Sequence, residues 1–264
     1  MATVFAFVNF LVFCMTAQSA PRPEVIDLGY GLDDKTQFWP GTQRFNVTLE
    51  LRVKNKSGIP WLAMNTFETS DHIGTHVDAP FHFNEKGWKI GEIPLHRFMV
   101  RGVLIDVSNK VKGNNDFVLE REDIKEWESQ HGIIPDESIV LFRFGWSSRY
   151  YDNRTAYFGF GNSNSSIMNY PSLSKDAAKY IVECGNVFGV GVDTPSLDPG
   201  KVVSGEAHQT LLGAQIFGIE NLNLENDALP ATGFMLHVLP MKITHGTGAP
   251  CRVIAFLGHR VRRL

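Results

Sequence analysis

The stretch Asp71–Phe83 reads DHIGTHVDAPFHF and holds three of the nine histidines of the chain together with two aspartates. Neutral imidazole and carboxylate are ligands that suit Zn²⁺, Mn²⁺ and Fe²⁺. The glycine and the proline inside the run forbid a regular helix, which excludes the helical H-E-x-x-H arrangement. On an extended segment His76 and Asp78 face the same way, and His72 can join them across a turn. The stretch therefore predicts one half of a metal site. The alternative is a surface loop with solvated histidines.

The composition of the chain is that of a folded globular protein. It has 264 residues, of which 43% are apolar and 20% are charged. The formal net charge of −3 and the isoelectric point near 6.3 give no electrostatic reason to expect nucleic acid or an acidic membrane as partner. We therefore expect the partner of the site to be a small-molecule substrate.

The N-terminus has the pattern of a signal peptide. The apolar run Val4–Met15 is too short to span a membrane but has the length of a signal-peptide core. The small and polar run Thr16–Ala20 then offers cleavage sites. A basic segment before the apolar run is absent, so a buried first strand or helix is the alternative. We predict a signal peptide over residues 1–20, a secreted protein, and no membrane span in the mature chain.

Secretion gives meaning to two further features. Four Asn-x-Ser/Thr sequons predict N-glycosylation at Asn46, Asn55, Asn153 and Asn164. Asn, Ser and Thr are common enough in this chain that some of these sequons would arise by chance. Cys14 would leave with the signal peptide. The mature chain keeps Cys184 and Cys251, which can form one disulfide or none.

Short apolar runs separated by turn residues predict many strands and few helices. The predicted strands are Val25–Leu28, Phe45–Val53, Trp61–Thr69, Val100–Val107, Ser138–Phe144, Val187–Asp193, Gln215–Ile219, Gly233–Ile243 and Arg252–Leu257. The predicted helices are Arg121–His131, a segment from its cap Ser174 to Cys184, and Glu206–Leu212. Because strands and helices do not alternate strictly, we predict a mixed α/β or α+β fold with residues 21–264 as one domain. Residues 146–171 lack periodicity and predict a long loop, which tends to be functional.

Two residues in the second half of the chain are candidates for the rest of the metal site. His208 begins a predicted helix after a turn rich in glycine and serine. Glu220 follows an apolar strand, where an inward-facing carboxylate would be costly without a cation. Taken singly, His208 reads as a structural histidine and Glu220 as a surface residue. They become ligands only if they share a site with the first motif.

The segment from His72 to His82 reads H-x-G-T-H-x-D-x-P-x-H and resembles the signature of the cyclase-like metal-dependent hydrolase family. That family includes bacterial kynurenine formamidases and isatin hydrolases. The likeness spans essentially the whole predicted mature chain. It extends to Trp39–Gly41, Gly191–Asp193, Ser196, Asp198, His208, Glu220 and Gly248–Arg252. Two positions depart from the pattern: Thr42 stands where aspartate is common, and His245 has no counterpart that we can match.

The resemblance implies a swivelling β/β/α-type fold that assembles as a homo-oligomer, either a dimer or a tetramer. It implies zinc or manganese, with one or two ions per chain. The metal ligands that it implies are His72, His76, Asp78, His208 and Glu220. Asp78 would bridge two ions, and His82 would be the catalytic general acid/base. Whether Glu220 binds a metal or only a water stays open.

The ligand types determine the chemistry that we expect. A divalent cation lowers the pKa of a bound water from about 15.7 towards about 7 and polarises a carbonyl oxygen. A histidine that titrates near pH 6.5 is suited to protonate a leaving amine. We therefore expect hydrolysis of an amide or lactam C–N bond. A metal-dependent lyase or cyclase, and a secreted binding protein without turnover, are the alternatives. A serine nucleophile is not indicated, because the G-x-S-x-G elbow is absent.

Aromatic residues near the motif are candidates for a pocket wall that would suit an aryl substrate. They are Phe38, Trp39, Phe81 and Trp146. Phe81 lies inside the motif, so we expect it and Trp39 to bind the substrate. The alternative is that these side chains belong to the core, as most aromatic residues do.

Overall fold

The computed structural model describes residues 24–150, 153–160 and 167–258. The predicted signal peptide and Asn164 lie outside these residues. Among the helices within them, none has the length and apolar character needed to cross a bilayer.

The described chain is built mainly of strands. The strands are β1 Glu24–Asp27, β2 Asn46–Lys56, β3 Ile59–Glu68, β4 His76–Asp78, β5 Met99–Asp106, β6 Val118–Leu119, β7 Ser138–Arg143, β8 Ser172–Leu173, β9 Val187–Val192, β10 Phe217–Glu220, β11 Phe234–Pro240 and β12 Gly248–Leu257. The helices are α1 Ser108–Val111, α2 Arg121–His131, α3 Arg154–Phe158, α4 Lys175–Glu183 and α5 Glu206–Gly213. Short 3₁₀ turns cover Pro80–His82, Ile90–Glu92, Leu95–Phe98 and Ser147–Arg149.

The main sheet closes on itself. Its order is β1-β12-β11-β5-β7-β9-β10-β4, and β4 also pairs with β12. Closure is possible because β12 is long enough for two neighbours on one edge: Gly248–Pro250 pair with β4, and Ile254–Leu257 pair with β1. The pairs β5–β7, β7–β9 and β9–β10 are parallel, and the others are antiparallel. The mixed α/β fold predicted from the sequence is confirmed.

Two apolar cores lie on opposite faces of the barrel wall. Along β7, Val140 and Phe142 belong to the core that also contains the buried residues of α2 and α4. Ile139 and Leu141 belong to the second core, which fills the barrel. Both faces of β7 are therefore buried, which explains why this strand reads as a continuous apolar run. Each such side chain contributes roughly 1.5–3 kcal/mol by leaving water.

The predicted helix ends have local causes that the structure confirms. Helix α2 spans the predicted Arg121–His131 and ends at Gly132, whose φ of 90° suits glycine. The Ser174 side chain accepts a hydrogen bond from Ala177 N and so caps α4. The prediction of an unbroken loop over 146–171 is wrong, because Asn153 caps the short helix α3 inside it. Five residues are too few for helical periodicity to be visible in a sequence.

A buried carboxylate anchors the start of that segment to the sheet. Asp193 follows β9, and its side chain accepts hydrogen bonds from Phe144 N at 2.8 Å and from Trp146 N at 2.8 Å. It also lies 3.2 Å from Ser147 Oγ, which donates to it. Burial, opposed by these hydrogen bonds, raises the pKa of Asp193 to about 6.

The two cysteines of the described chain are free. Cys184 packs against the core under the helices, and Cys251 packs against the core inside the barrel. The disulfide left open by the sequence is therefore not formed.

Strands β2 and β3 form a separate two-stranded sheet. We call this hairpin the arm. Among the described strands, neither of its two pairs with any other, and most of its side chains are exposed.

Candidate active site

Strand β4 lies between β10 and β12, and this placement assembles the candidate site. Its register sets His76 opposite Glu220 and Asp78 opposite Gly218 on β10. His72 precedes β4 in a turn through Gly74, whose φ is +54°. His208 comes from the first turns of α5. The two halves of the chain that were predicted to share a site therefore meet at β4.

The side chain of Asp78 is the centre of the cluster. Its Oδ1 lies 2.6 Å from His72 Nδ1 and 3.2 Å from His76 Nε2. Its Oδ2 lies 3.3 Å from His208 Nε2. Glu220 completes the cluster, with Oε1 3.1 Å from His208 Nε2 and Oε2 3.5 Å from His76 Nε2. The five residues predicted as metal ligands thus form one connected cluster centred on Asp78.

The donor set fits a divalent cation. His76, Asp78 and Glu220 are buried, and their ligand atoms lie within 4.8 Å of one another. The ligand atoms of His72, Asp78 and His82 also lie within 4.8 Å of one another. Two buried atoms, His76 Nε2 and Asp78 Oδ2, have no hydrogen-bond partner. Their short distances to neighbouring site atoms lack hydrogen-bond geometry. Buried polar atoms rarely stay unpaired unless an ion or water satisfies them.

The pKa shifts in this cluster show that its two buried carboxylates favour positive charge nearby. Burial alone would raise the pKa of Asp78, but the neighbouring histidines hold it well below its ordinary value. Burial and the charge of Asp78 raise the pKa of Glu220. Burial would lower the pKa of His76, yet the nearby carboxylate of Asp78 outweighs it and raises that pKa to about 9. Two carboxylates in a buried site need a cation, and a divalent metal supplies it while leaving the imidazoles neutral.

Each candidate histidine ligand is held from behind by a second contact. His76 Nδ1 donates to Gly74 O at 2.9 Å. His208 Nδ1 lies 2.6 Å from Asp198 Oδ2, and Asp198 also accepts from Ala207 N at 2.7 Å. His72 Nε2 lies 2.9 Å from Thr247 Oγ1. Sequence reasoning missed Thr247, because it is 175 residues from His72 and carries no ligand group.

His82 stands at the edge of the cluster. Its ring centroid is 4.1 Å from that of His72 and 6.0 Å from that of His208. Its ring faces the cavity, yet the enclosing protein, together with the positive charges of neighbouring histidines, lowers its pKa to about 4. The expectation of an ordinary pKa near 6.5 does not hold for this environment. At neutral pH the imidazole is uncharged and is ready to accept a proton.

A cavity of about 530 Å³ opens above the cluster. Its wall is largely aromatic and apolar, formed by Phe38, Trp39, Phe83, Phe158, Met168 and Tyr170. Trp39 therefore lies where a substrate-binding residue was predicted. Thr42, one of the two departures from the family pattern, also lines the cavity. His245, the other departure, is exposed and is not among the lining residues.

The prediction for Phe81 is corrected. Its ring lies 5.2 Å from Lys89 Nζ and does not line the cavity. Successive residues in a 3₁₀ turn point about 120° apart, so Phe81 cannot share the face of His82. Phe83, just after the turn, lines the cavity instead, and its ring centroid is 4.7 Å from that of His208. Trp146 belongs to the core, where its Nε1 donates to Tyr157 O at 2.8 Å.

Comparison with known proteins agrees with this geometry. A family model described as putative cyclase matches residues 26–199. An isatin hydrolase from Roseibium aggregatum is 32% identical over 207 residues, which are 75% of this chain and 76% of that protein. A kynurenine formamidase from Bacillus cereus is 30% identical over 231 residues, 88% of this chain and 96% of that protein. The solved structure of isatin hydrolase A from Labrenzia aggregata bound to benzyl benzoate has a TM-score of 0.79 at 33% identity and covers 89% of this chain and 94% of that one.

The fold and these relatives define the protein as an enzyme of the amidohydrolase class. Within that class the chain belongs to the cyclase family, together with the isatin hydrolases and bacterial kynurenine formamidases that it matches. The resemblance carried by the motif from His72 to His82 is confirmed.

Proposed function

We propose that this protein is a divalent-metal-dependent hydrolase that cleaves an amide or lactam C–N bond in a small aryl substrate. One observation carries the proposal: the buried cluster of Asp78, Glu220 and three histidines lies at the foot of a cavity with an aromatic wall. The names of the relatives, isatin hydrolase and kynurenine formamidase, support the same class of substrate.

In this proposal the five clustered residues hold one or two ions of zinc or manganese. His72, His76 and Asp78 would hold the first ion. His208 and Glu220, together with Asp78, would hold a second. When bound, the metal acts as a Lewis acid on the scissile carbonyl and lowers the pKa of a water towards neutrality.

His82 moves the proton in the proposed reaction. Its neutral imidazole accepts a proton as water attacks the carbonyl carbon, and it then delivers that proton to the leaving nitrogen. Breaking the C–N bond without this proton would require expulsion of an amide anion. The ring lies beside His72 at 4.1 Å between centroids, so it reaches the same volume as the cluster.

The aromatic wall positions the substrate. Trp39 and Phe158 meet edge to face, with ring centroids 6.0 Å apart, and Phe83 stands against His208 at 4.7 Å. Flat rings stack well on such surfaces. An aryl group held there would place its amide carbonyl towards Asp78 and His82.

The decisive experiment measures metal content and turnover in the same preparation. The purified protein is analysed for elements and assayed with N-formylkynurenine and with isatin, before and after chelation. We expect one or two Zn or Mn per chain and hydrolysis that stops on chelation and returns with added metal. Tightly bound metal without hydrolysis of any aryl amide would favour the lyase or cyclase alternative. Absence of metal after mild purification would favour a binding protein and overturn the proposal.

We also propose that the protein is secreted after loss of residues 1–20 and is N-glycosylated. Two of the three described sequon asparagines, Asn55 and Asn153, are exposed, and Asn46 is half-buried. Asn153 uses its Oδ1 to accept from Ala156 N, so the Nδ2 atom to which a glycan attaches is not part of that bond. Expression in a eukaryotic secretory host, N-terminal sequencing and the mass loss on deglycosylation test both statements. Retention of Met1 and an unchanged mass would contradict them.

A further inference from the structure

Asn221 is a buried residue of the cavity that the proposed mechanism does not use. It follows Glu220, the last residue of β10, and it lines the cavity above the cluster while being only 6% exposed. Its backbone has a φ of +57°, in the left-handed region that asparagine tolerates better than most residues. An uncommon backbone conformation beside a candidate active site makes this residue a candidate for contact with the substrate.

Three of the four polar groups of Asn221 are bonded within the protein. Its backbone N–H donates to Thr194 O at 3.1 Å. Its backbone carbonyl accepts from Thr75 Oγ1 at 2.7 Å. Its side-chain Oδ1 accepts from the Tyr157 hydroxyl at 2.7 Å. Contacts to three separate segments of the chain therefore hold this residue in one place.

The Tyr157 hydroxyl determines which way the Asn221 amide points. Tyr157 is fully buried, and within the described chain Asn221 Oδ1 is the one acceptor that its hydroxyl proton reaches. A rotated amide would set Nδ2 against the hydroxyl and leave the hydroxyl proton without an acceptor, which is costly in a buried place. Oδ1 therefore faces Tyr157, and Nδ2 faces away from it.

The fourth polar group of Asn221, its Nδ2, opens into the cavity. Among the residues that the structure describes, none accepts a hydrogen bond from it, yet it is not sealed from solvent in the way that His76 Nε2 and Asp78 Oδ2 are. Because Asn221 lines the cavity, the N–H groups of this amide face the space that a substrate would occupy. The amide is a donor that is already oriented for an acceptor atom.

The Tyr157 side chain connects this amide to the aromatic wall. Tyr157 belongs to α3, and its neighbour Phe158 lines the cavity. The rings of Tyr157 and Phe158 meet edge to face with centroids 5.6 Å apart, and Phe158 meets Trp39 in the same way at 6.0 Å. The Asn221 amide is thus tied to the cluster through Glu220, the preceding residue, and to the aromatic wall through Tyr157.

The charges around the cavity favour an uncharged acceptor. Among the described residues that line the cavity, none is lysine or arginine, whereas Asp71, Asp198 and Glu220 are among them. A substrate carboxylate would approach these acidic side chains without a lysine or arginine to pair with. A carbonyl oxygen, which accepts without carrying a full charge, suits a single amide donor.

We propose that Asn221 binds the substrate by donating a hydrogen bond from Nδ2 to an uncharged carbonyl oxygen on the aryl part, and that Tyr157 is the positioning residue that orients the amide for this contact. The inference rests on the proposed function, in which the scissile carbonyl oxygen is polarised at the metal. The oxygen that Asn221 binds is therefore a second one. The preferred substrate is an aryl amide whose ring carries a carbonyl group beside the scissile amide.

Two matched substrates and three variants test the proposal. Formanilide has only the scissile carbonyl, and ortho-acetylformanilide adds a ring carbonyl beside it. Asn221→Asp keeps the size of the side chain, an acceptor for Tyr157 and tolerance of the left-handed region, but it removes the Nδ2 donor. Tyr157→Phe keeps the ring, removes the hydroxyl and adds no charge. The matched control is Asn226→Asp, at an exposed residue outside the cavity whose Oδ1 also accepts a backbone hydrogen bond, from Ala228 N at 2.9 Å.

The kcat/KM of each metal-loaded protein is measured with both substrates. We expect Asn221→Asp to lower kcat/KM for ortho-acetylformanilide by roughly tenfold, the effect of losing one hydrogen bond, and for formanilide by less than about twofold. Tyr157→Phe should show the same dependence on substrate with a smaller loss, about threefold, and Asn226→Asp should match the unaltered protein. A distorted site would instead lose activity with both substrates, so the difference between them separates binding from a structural role.

Equal losses with the two substrates, or no loss with either, would overturn the role of Asn221. Calorimetric binding of the product amines keeps this test separate from the proposed function. The unaltered protein should bind ortho-aminoacetophenone more tightly than aniline, and Asn221→Asp should reduce that preference by roughly tenfold. If neither substrate is hydrolysed but the preference depends on Asn221, the proposed function fails and the binding role stands. Hydrolysis without the preference would overturn the binding role alone, and absence of both would overturn both.

Discussion

The arm and the metal-type cluster are neighbours in sequence, since Glu68 ends the arm and Asp71 begins the motif, yet they are opposites in structure. In β4, three residues are buried, and the side chains of His76 and Asp78 lie among named polar partners. In the arm, strands of 11 and 10 residues hold apolar side chains in solvent. The cluster brings five candidate ligand residues together within one chain, whereas the arm leaves Leu49 and Met64 largely exposed. Neighbours in sequence thus differ completely in burial, because β4 pairs within the main sheet and the arm does not.

The largest effect is expected at the centre of the cluster. Asp78→Asn removes a negative charge that contacts three histidines, so metal binding and turnover should both collapse. A loss of several kcal/mol of transition-state stabilisation corresponds to at least about 10³-fold in kcat/KM. Elemental analysis and kinetics measure it. The control is Asp176→Asn, which removes a carboxylate from an exposed ion pair with Arg121. If Asp78→Asn retained its metal, Asp78 would not be central to metal binding.

The next effect is expected at the edge of the cluster. His82→Ala should keep the metal and reduce turnover by roughly 10²–10⁴-fold, because the leaving nitrogen loses its proton donor. His245→Ala is the matched control, since His245 is exposed and does not line the cavity. Parallel kcat and metal measurements separate the two roles. If His82→Ala stays active, the proton comes from elsewhere.

A smaller effect is expected from the buried Asp193, whose protonation makes the unfolding free energy depend on pH. Its pKa is raised from 3.8 to about 6 by burial, so the folded state binds this proton more tightly than the unfolded state. Its contribution to stability is therefore full below about pH 4 and is lost as pH rises through 6. The shift corresponds to about 3 kcal/mol. The Asp193→Asn variant has no titrating group at this position. The unfolding free energy of the unaltered protein, relative to that of Asp193→Asn, should therefore fall by about that amount from pH 4 to pH 7. A rise of this relative unfolding free energy with pH would contradict the raised pKa of Asp193.

The smallest effect is expected in the arm. Leu49→Ala should change the unfolding free energy of the single chain by no more than about 0.5 kcal/mol, because the side chain is already exposed. The same change at Leu141, which is fully buried, should cost about 2–5 kcal/mol. Denaturant titrations at low protein concentration measure both. A large loss at Leu49 under those conditions would show that the arm packs within its own chain.

Several features could be predicted from the sequence because their causes are local. The bounds of α2 follow from Arg121 to Gly132, and the cap of α4 from Ser174. The clustering of His72, His76 and Asp78 follows from a turn and one extended segment. His208 and Glu220 were assigned through a family pattern, since neither residue is distinctive alone. Of the two aromatic residues predicted to bind the substrate, Trp39 lines the cavity and Phe81 does not. Phe83, which was not predicted, lines it as well.

Other features depend on contacts between distant parts of the chain. Closure of the barrel needs β4 to pair with β10 and β12 at the same time. The contact between Thr247 and His72 joins residues that are 175 positions apart in the sequence. The solvent exposure of Leu49 cannot be read from the alternation of β2, which is equally typical of a strand with one buried face.

The sequence by itself determined which chemical groups are available and which segments are extended or helical, because ligand type and periodicity are properties of a few consecutive residues. It also determined the family, because the motif from His72 to His82 is long and specific. Only the tertiary structure decided that Glu220 faces His76, that Thr247 contacts His72, and that most side chains of the arm are exposed. These depend on strand register and on closure of the barrel, where a shift of one residue would turn every side chain to the other face.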